Sequence, residues 1–516
     1  MKLITLRKRK LKYIRSYIRG YQKLKSENNL SLIVKLKNHL ANTKISFKNQ
    51  VLLNQFLASR VLGLDFNKEI QIAYLRQDKQ IKLALPYTWR VELEKFGFKA
   101  STFSNYLRWK SFVLKWFFYG VFSMISEVFR FFSNPYKTVD SNSYAFFDNL
   151  MQHNLPDNDE WNSNNNIINY YFEKGYVKVL NKVYHTVQSK SSFSFKEKEI
   201  SYLDSPIPNI NSFYKLLVFL LWSSKQLLRS LVYLLKGYDA HLFLLREFVL
   251  NKVFELDRSN NERQYFFHNS THIFRPLWTY LAEDRGNRII FYLYSMNNYP
   301  ITTQQHPKFI RCNHWDLVSW PEIWTWNKSS KLDLERTIKH NVNIKVVDPI
   351  WFSSSKKFNF GKFKSIKKVA LFDIQQPRIS HTYSLGNSID YYNIENSKKF
   401  MHEVLLVAAK ANYHVFFKRK RVNSLVDKTY INHIDKLKKE YNNFIEIPPE
   451  NDAISVIENV DKIISMPFTS TALHAQFLNK KSIYYDVTNS LLKNQIATYD
   501  IEIKTSMEEL YDWLEK

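Results

Sequence analysis

The chain has 516 residues, of which 45% are hydrophobic, so it is long enough for two globular domains with cores of their own. Its net charge of +28 indicates anionic partners, namely a nucleotide, an acidic glycan, nucleic acid or anionic lipid. The single cysteine, Cys312, excludes an intramolecular disulfide, and the nine glycines form neither a GxGxxG nor a GxxxxGK phosphate loop.

The first 110 residues are predicted to form a basic helical region. Residues 1–25 contain ten Lys and Arg and no acid, and Leu11, Tyr13 and Ile18 lie between them at amphipathic spacing. Such a helix suits either a nucleic-acid arm or a membrane surface. Because no long apolar core follows the basic residues, we expect no secretory signal, and the lone cysteine indicates a reducing compartment.

Two apolar segments, residues 112–132 and 213–235, are predicted to be amphipathic helical insertions. Lys115, Glu127 and Arg130 interrupt the first segment. One face of the second carries Lys215, Gln226, Arg229 and Lys236. Charges interrupt both segments before the ~20 apolar residues that a bilayer span requires, so we expect both to lie in the membrane interface. The alternative is that they are amphipathic helices of a soluble core.

Residues 111–352 show short apolar strands that alternate with helices, which is typical of an α/β domain with a mostly parallel sheet. Strands are expected at residues 144–147, 264–267, 288–294, 322–326 and 344–347. Residues 353–366 have the polar, basic composition of a linker. We therefore place a domain boundary at this linker.

Residues 367–516 show a cleaner alternation of strands and helices. Strands are expected at residues 368–373, 414–418, 444–447, 463–466 and 482–485. The pattern predicts a doubly wound, Rossmann-like domain, in which ligands bind beyond the carboxyl ends of the strands. The expected fold class is thus α/β, with two Rossmann-like domains, an N-terminal helical region and amphipathic helical insertions.

The stretch 462–485 reads as a strand, a hydroxyl-rich turn, a helix and a second strand. Ser465, Thr469, Ser470 and Thr471 lie where the strand ends and the helix begins. The free amides and partial positive charge of a helix start favour an anion, above all a phosphate. The alternative is that Thr469 or Ser470 only caps the helix.

Two other loops are expected at the same edge, because parallel strands present their carboxyl ends together. A Lys-Arg-Lys-Arg run follows the second strand of this domain, so Lys418, Lys420 and Arg421 are candidates for binding a phosphate. The alternative is that this run is a solvated strand exit. Gln375 follows the first strand, and Glu450 lies before a helix, where it suits either a ribose hydroxyl or a helix cap.

The residues Pro467, Phe468, Thr469 and Ser470 carry a family resemblance. The stretch SMPFTSTALHAQFLNKKSIYYD resembles the bacterial polysaccharide-biosynthesis proteins that are named for their Pro-Phe-Thr-Ser motif. Two α/β domains with nucleotide contacts in the second are also similar to glycosyltransferases of the B-type fold (GT-B), including bacterial sialyl- and Kdo-transferases. The resemblance implies a metal-independent glycosyltransferase without a cofactor, with a Kdo- or sialic-acid-like sugar on a CMP donor. Where those transferases carry a His-Pro pair after a strand, this chain has the basic run.

For glycosyl transfer, the resemblance implies two tasks. The departing phosphate would be stabilised by the basic run and the helix start. An acceptor hydroxyl would need a base from the first domain, for which His268 and Glu322 are placed ahead of Asp148. Arg275 is a candidate for binding the carboxylate of an acidic sugar.

The expected partners are a nucleotide-sugar donor, a glycan or lipid-linked acceptor, and an anionic membrane surface. We expect no nucleic-acid partner, because the basic and aromatic patches match no recognised nucleic-acid-binding pattern. The enzyme would be cytoplasmic and peripheral at the inner membrane, acting in surface polysaccharide biosynthesis. An alternative is a nonenzymatic nucleotide-binding scaffold of a polysaccharide assembly or export complex, which would tolerate the loss of every candidate base.

Overall fold

The computed structural model is an α/β structure with an N-terminal helical region. It describes residues 2–45, 50–133, 144–150, 155, 167–174, 182–186, 192–195, 197–257, 263–268, 272–293, 301–305, 307, 315–347, 350, 356–386, 391–420 and 425–516. Cys312 and the candidate Arg421 lie outside the described residues, as does the start of the predicted linker, 353–355.

The N-terminal region consists of helices around a shared apolar core, as predicted. The helices are α1 (Lys2–Ser26), α2 (Ser31–Asn42), α3 (Gln50–Val61), α4 (Leu64–Leu75), α5 (Tyr87–Lys95) and α6 (Phe103–Ser133). Leu36 and Leu40 of α2 are fully buried in this core. Because α6 is one continuous helix, the predicted boundary at residue 110 falls inside it and does not separate two structural units.

The first α/β domain contains an eight-stranded sheet. Its strands are β1 (Tyr144–Phe147), β2 (Lys182–His185), β3 (Phe193–Phe195), β4 (Lys198–Tyr202), β5 (Arg263–Phe267), β6 (Arg288–Tyr292), β7 (Glu322–Thr325) and β8 (Asn343–Val346). Their order is β3-β4-β2-β1-β5-β6-β7-β8, and only the β3–β4 pair is antiparallel. The helices are α7 (Ile167–Glu173), α8 (Phe213–Leu235), α9 (Ala240–Phe243), α10 (Leu245–Leu256), α11 (Trp278–Asp284) and α12 (Lys328–Thr337).

The second α/β domain contains a six-stranded, fully parallel sheet. Its strands are β9 (Lys367–Phe372), β10 (Tyr413–Lys418), β11 (Phe444–Ile447), β12 (Lys462–Ser465), β13 (Lys481–Tyr485) and β14 (Ile503–Lys504). Its helices are α13 (Ile379–Ser384), α14 (Ile394–Lys410), α15 (Lys428–Glu440), α16 (Ala453–Glu458), α17 (Ser470–Phe477) and α18 (Met507–Glu515). The order β11-β10-β9-β12-β13-β14 is that of a Rossmann sheet, so the predicted fold class, two Rossmann-like domains, is confirmed.

The segment that the composition marks as a linker belongs in part to the second domain. The ring of Phe360 lies 5.0 Å from that of Phe416 on β10, and the ring of Phe363 lies 5.2 Å from it. Phe358 packs against the same cluster. Polar and basic residues lie between these aromatics, so the average composition of the segment did not indicate the apolar contact that holds it on the sheet.

The N-terminal helical region contacts both α/β domains. On the first domain, the side-chain amide of Gln55 on α3 donates to the carbonyl of Leu317 at 2.6 Å. On the second, Gln71 of α4 donates to the carbonyl of Tyr383 at 2.7 Å, and the ring of Tyr21 on α1 stacks on Tyr383 at 4.2 Å. Tyr383 lies on α13, just after the loop that leaves β9, so this region is connected to an edge of the second sheet where ligands bind in such folds.

Candidate active site

The strand order of the second sheet defines where its ligand site lies. The chain order reverses between β9 and β12, which are neighbours in the sheet. In open α/β sheets the ligand crevice lies outside the carboxyl ends of the two strands at this reversal. Here those ends carry the loop after Phe372 and the turn after Ser465. The hydroxyl-rich turn therefore lies at the position that the topology favours for a ligand.

The turn owes its shape to the Pro-Phe-Thr-Ser residues. Phe468 has φ +60°, a left-handed conformation that is unfavourable for a bulky side chain. Its ring is buried and lies 5.7 Å from that of Tyr484, and the Tyr484 hydroxyl donates to the carbonyl of Thr469 at 3.2 Å. Such strain costs roughly 1–3 kcal/mol and is typical of functional sites. Packing of Phe468 thus holds the reversal that starts α17 at Ser470.

The hydroxyls of the turn stabilise the turn itself. Thr469 donates to the carbonyl of Met466 at 2.9 Å, and the hydroxyls of Ser465 and Thr471 are 3.1 Å apart. Although Thr469 occupies the N-cap position, its side chain accepts no amide hydrogen of α17 within the described structure. The simple capping alternative is therefore not what the geometry shows. The first amides of α17 remain available to an anionic ligand, and Ser470 is half-buried beside them.

The loop after β9 is held against the segment that follows the basic run. The backbone amide of Arg378 donates to the carbonyl of Leu425 at 2.8 Å, and Pro377 and Val426 form an antiparallel bridge. The half-buried Gln375 lies at the start of this loop. The first two predicted loops thus converge, and Arg378 is exposed on the first of them.

Lys418 does not lie free in a cleft as the phosphate-binding prediction requires. Its side chain is buried and donates to the carbonyls of Arg419 at 3.1 Å and Pro449 at 3.2 Å. Burial lowers the pKa of the Lys418 ammonium, while the carboxylates of Asp452 and Glu450 oppose this effect. Lys418 therefore connects β10 to the loop before α16.

The structure gives less detail on the other residues that are predicted to bind the donor. Lys420 is exposed on the loop after β10, and Arg421 is outside the described residues. Glu450 is also exposed, near enough to Lys418 to act on its charge. Their contacts with a nucleotide remain predictions.

Asp373 is a further carboxylate at this edge that was not among the predicted site residues. It follows β9 directly, and its side chain accepts a hydrogen bond from the Tyr430 hydroxyl at 2.6 Å. Burial raises the pKa of the Asp373 carboxyl to about 6. In the sequence, Asp373 could have been identified as a candidate because it is an acid at the end of an apolar strand.

The first sheet has its own reversal, and two predicted residues lie there. The chain order reverses between β1 and β5, which end next to Asp148 and His268. The backbone amide of Asp148 donates to the carbonyl of Phe266 at 2.9 Å, which fixes its position beside β5. Burial raises the pKa of the Asp148 carboxyl to about 6 and lowers the pKa of His268 to about 3. Of these two groups, the Asp148 carboxyl has the pKa closer to neutral pH.

Glu322 lies at the wrong edge of the sheet for the predicted role. It is the first residue of β7, so it occupies the amino edge and not the carboxyl edge. Its carboxylate lies 2.7 Å from Arg288 and 3.1 Å from Lys345, and it accepts from the indole of Trp324 at 2.6 Å. These partners hold the Glu322 carboxylate between β6, β7 and β8, and its role as a base stays a prediction that this position does not support.

Arg275 is also structural. It is 2% exposed, and its guanidinium lies 2.5 Å from Glu283 and donates to the carbonyl of Ser319 at 2.8 Å. Thr279 accepts two further hydrogen bonds from the same guanidinium. Its contact with a sugar carboxylate stays a prediction, which this enclosure does not support.

The two domains meet next to the Pro-Phe-Thr-Ser turn. Trp326 follows β7 of the first domain, and its ring lies 4.8 Å from that of His474 on α17 of the second. The Trp326 indole is fixed by donating to the Tyr292 hydroxyl at 2.7 Å. The carboxyl edge of the first sheet therefore faces the helix that begins at the turn. Within the described part of the chain, no group of three His, Cys, Asp or Glu is arranged to hold a metal ion.

The family comparison matches more than half of the chain. The model described as "Polysaccharide biosynthesis PFTS motif protein" matches residues 229–514, which include the second domain and much of the first. The sequence finds no match among curated proteins.

Several solved structures share features of the fold at low similarity. KpsC of Thermosulfurimonas dismutans, a beta Kdo 2,4 transferase, is 12% identical, with 32% of this chain and 50% of that chain covered and a TM-score of 0.21. The wall teichoic acid polymerase TagF is 12% identical, with 77% and 88% covered and a TM-score of 0.35. The Methanocaldococcus jannaschii UDP-GlcNAc 2-epimerase is 13% identical, with 53% and 74% covered and a TM-score of 0.32. Similarity at this level is too low to assign an activity to this chain.

A charge placed at the start of α17 should separate capping from anion binding. In Ser470→Asp, the added carboxylate favours the helix by about 0.3–1 kcal/mol but repels a phosphate. We expect an unfolding midpoint equal to or above that of the wild type without ligand. With CMP, UDP, GDP or dTDP in thermal-shift assays, we expect the stabilisation seen in the wild type to be lost.

Ser506→Asp is the matched control, because Ser506 caps α18 through its hydroxyl. This variant should respond to the nucleotides as the wild type does. If Ser470→Asp kept the full nucleotide response, the start of α17 would not be the anion site.

Proposed function

Since this chain belongs to the polysaccharide biosynthesis PFTS motif family, we propose that it is a glycosyltransferase. It moves a sugar from a nucleotide-sugar donor to a glycan or lipid-linked acceptor. The observation that carries this proposal is the uncapped start of α17 at the reversal of the second sheet, facing the carboxyl edge of the first. A donor phosphate at that helix start would lie between the two domains, where an acceptor can approach it.

The donor half of the reaction is a matter of stabilising the departing phosphate. Amides that are fixed by a strained turn point at the position where charge develops, and they need no reorganisation during the reaction. Lys420 and Arg378, both exposed at this edge, supply positive charge to the same region. We extend the proposal to a CMP donor with an acidic sugar and to transfer without a metal, on the basis of the family resemblance.

The acceptor half needs a base, and Asp148 is our candidate. It lies at the reversal of the first sheet, and its raised pKa of about 6 leaves it ionised but basic at neutral pH. Deprotonation of the acceptor hydroxyl by Asp148 would accompany attack on the anomeric carbon and departure of the nucleotide. Neutral His268 lies on the neighbouring strand end and does not compete for that proton.

The surface of α8 supports a membrane location. Its outward residues include Leu221, Leu228 and Leu235, of which Leu235 is 88% exposed. Its inward face contains Ser223 and Gln226, both buried. A helix that buries polar residues and exposes leucines is arranged for an apolar surrounding, and not for water.

The surface of α6 is arranged in the same way. Phe118, Phe122 and Phe129 are each more than 60% exposed, while Asn105 and Glu127 at opposite ends of the helix are buried. By length and composition alone, α6 would be able to cross a membrane. Because one face packs on the protein along the whole helix, we propose that α6 lies in the membrane interface with α8.

The charges on α6 and α8 indicate which kind of membrane surface they would contact. The only acid on α6 is the buried Glu127, and α8 has none, whereas exposed Lys115, Lys225 and Lys236 lie along the two helices. Anionic lipid is the complementary surface. We therefore propose that the enzyme works at the cytoplasmic face of the inner membrane, where a lipid-linked acceptor would be supplied.

Removing the proposed base should separate the enzyme from the scaffold alternative. We expect Asp148→Asn to lower kcat by roughly 10²–10⁴-fold while donor binding is kept, measured as nucleotide release from the donor that stabilises the protein. In the wild type, kcat/KM should fall as the pH drops below about 6, because protonation removes the base. That acidic limb should be missing in the variant.

The exposed Asp284, at the end of α11, gives the matched control Asp284→Asn, which should behave as the wild type. Normal polysaccharide production in cells that carry Asp148→Asn would instead favour a nonenzymatic scaffold.

Membrane binding is tested by flotation with phosphatidylcholine vesicles that contain phosphatidylglycerol. Phe122→Glu with Leu228→Glu should abolish flotation, because each places a charge in the apolar face. Leu406→Glu is the control, since Leu406 is 43% exposed on α14 of the second domain. Absence of wild-type flotation at low salt, or equal loss in the control, would contradict the membrane location.

A further inference from the structure

A cavity of about 700 Å³ opens beside α8, away from the candidate active site. Trp222, Gln226 and Arg229 of α8 form one wall, and Phe248 and Lys252 of α10 form part of the other. The volume is in the range of small-ligand sites. Its lining joins aromatic surfaces to amide and cationic groups, which suits a ligand with both an apolar and an anionic part.

The cavity lies along the basic flank of α8. At 3.6 residues per turn, Lys215, Lys225, Arg229 and Lys236 fall within about 80° of arc. This flank separates the exposed leucine face from the buried face of the helix. On a helix lying in a membrane interface, such a flank is at the level of the lipid phosphates.

Arg229 supplies positive charge that the protein does not neutralise. Lys252 is paired with Glu255, at 2.9 Å, on the other wall. No ion pair of Arg229 occurs in the described part of the chain. His241 also lines the cavity, and its pKa is lowered by burial and by the charge of Arg229, which lines the same cavity.

The cavity and the proposed transfer site lie at opposite edges of the first sheet, so the cavity does not hold the reacting ends of the donor and the acceptor. Glu255 lies in the last turn of α10, and Asp257 just beyond it pairs with Arg263 at 2.5 Å. Arg263 is the first residue of β5, so this end of α10 lies beside the amino edge of the first sheet. The transfer site proposed above lies at the opposite, carboxyl edge.

We propose that this cavity binds the phosphate of a membrane lipid, with Arg229 as its cation and the apolar chain of the lipid along the exposed leucines of α8. The ligand class is a phosphate ester carried on an apolar chain, either an anionic phospholipid or a prenyl phosphate. Gln226 and Asn251 line the cavity and offer amide donors to the phosphate or its headgroup. The proposal rests on membrane docking only for the supply of lipid, so the site can be tested without a bilayer.

The test compares Arg229→Gln with Lys439→Gln, which removes an exposed cation on α15 of the second domain that does not line the cavity. Binding of monomeric dihexanoyl phosphatidylglycerol and of farnesyl phosphate is measured by calorimetry, with dihexanoyl phosphatidylcholine and inorganic phosphate as further arms. We expect Arg229→Gln to weaken binding of an anionic lipid about tenfold or more, because a charge-assisted hydrogen bond is lost. Lys439→Gln should change it less than about twofold, as expected for a screened surface charge.

The two anionic lipid arms identify the source of the phosphate. Equal weakening in the two variants, or binding of inorganic phosphate as tight as that of either lipid, would overturn the site. Vesicle flotation of the same variants distinguishes the two proposals. If lipid binding depends on Arg229 but the protein does not float with vesicles, the cavity site is supported and membrane docking is contradicted. If the protein floats but both variants bind lipid equally, membrane docking is supported and the cavity site is contradicted.

Discussion

The strained backbone at Phe468 is the constraint on which the rest of the site depends. A left-handed conformation at a buried aromatic residue reverses the chain between β12 and α17, and packing on Tyr484 holds it there. The reversal places the start of α17 at the topological switch of a Rossmann sheet. Because Thr469 uses its hydroxyl within the turn, the amides of the helix start are left for a ligand. In this family member, the Pro-Phe-Thr-Ser motif therefore acts mainly by shaping the backbone of the turn, and its side chains are used within the turn more than for the ligand.

The remainder of the chain positions that turn relative to an acceptor and a membrane. Contact between Trp326 and His474 orients the carboxyl edge of the first sheet, at which Asp148 lies, towards α17. The N-terminal helices contact both domains, through Gln55 on one side and Gln71 on the other. Helix α6 continues from this region into the proposed membrane surface.

Features that depend on local pattern could be predicted from the sequence. Apolar runs bounded by turn residues located both sheets, and the hydroxyls before a helical pattern located the turn after β12. The periodicity of residues 213–235 identified the leucine face of α8, because helical spacing alone decides which residues share a face. Features that depend on tertiary partners could not be read in this way. Glu322 begins the expected strand as well as β7, so its position at the amino edge followed from the sequence, whereas its pairing with Arg288 and Lys345 did not. The enclosure of Arg275 and Lys418 could not be read either, because their partners, Glu283 and the carbonyl of Pro449, are brought to them only by folding.

The most direct measurement of the central claim is amide hydrogen exchange at the start of α17, followed with and without the nucleotide that stabilises the protein. If the helix start binds the phosphate, the amides of Ser470, Thr471 and Ala472 should gain protection, while those at the start of α18 should not change. Protection elsewhere in the second domain with no change at these three amides would contradict the account.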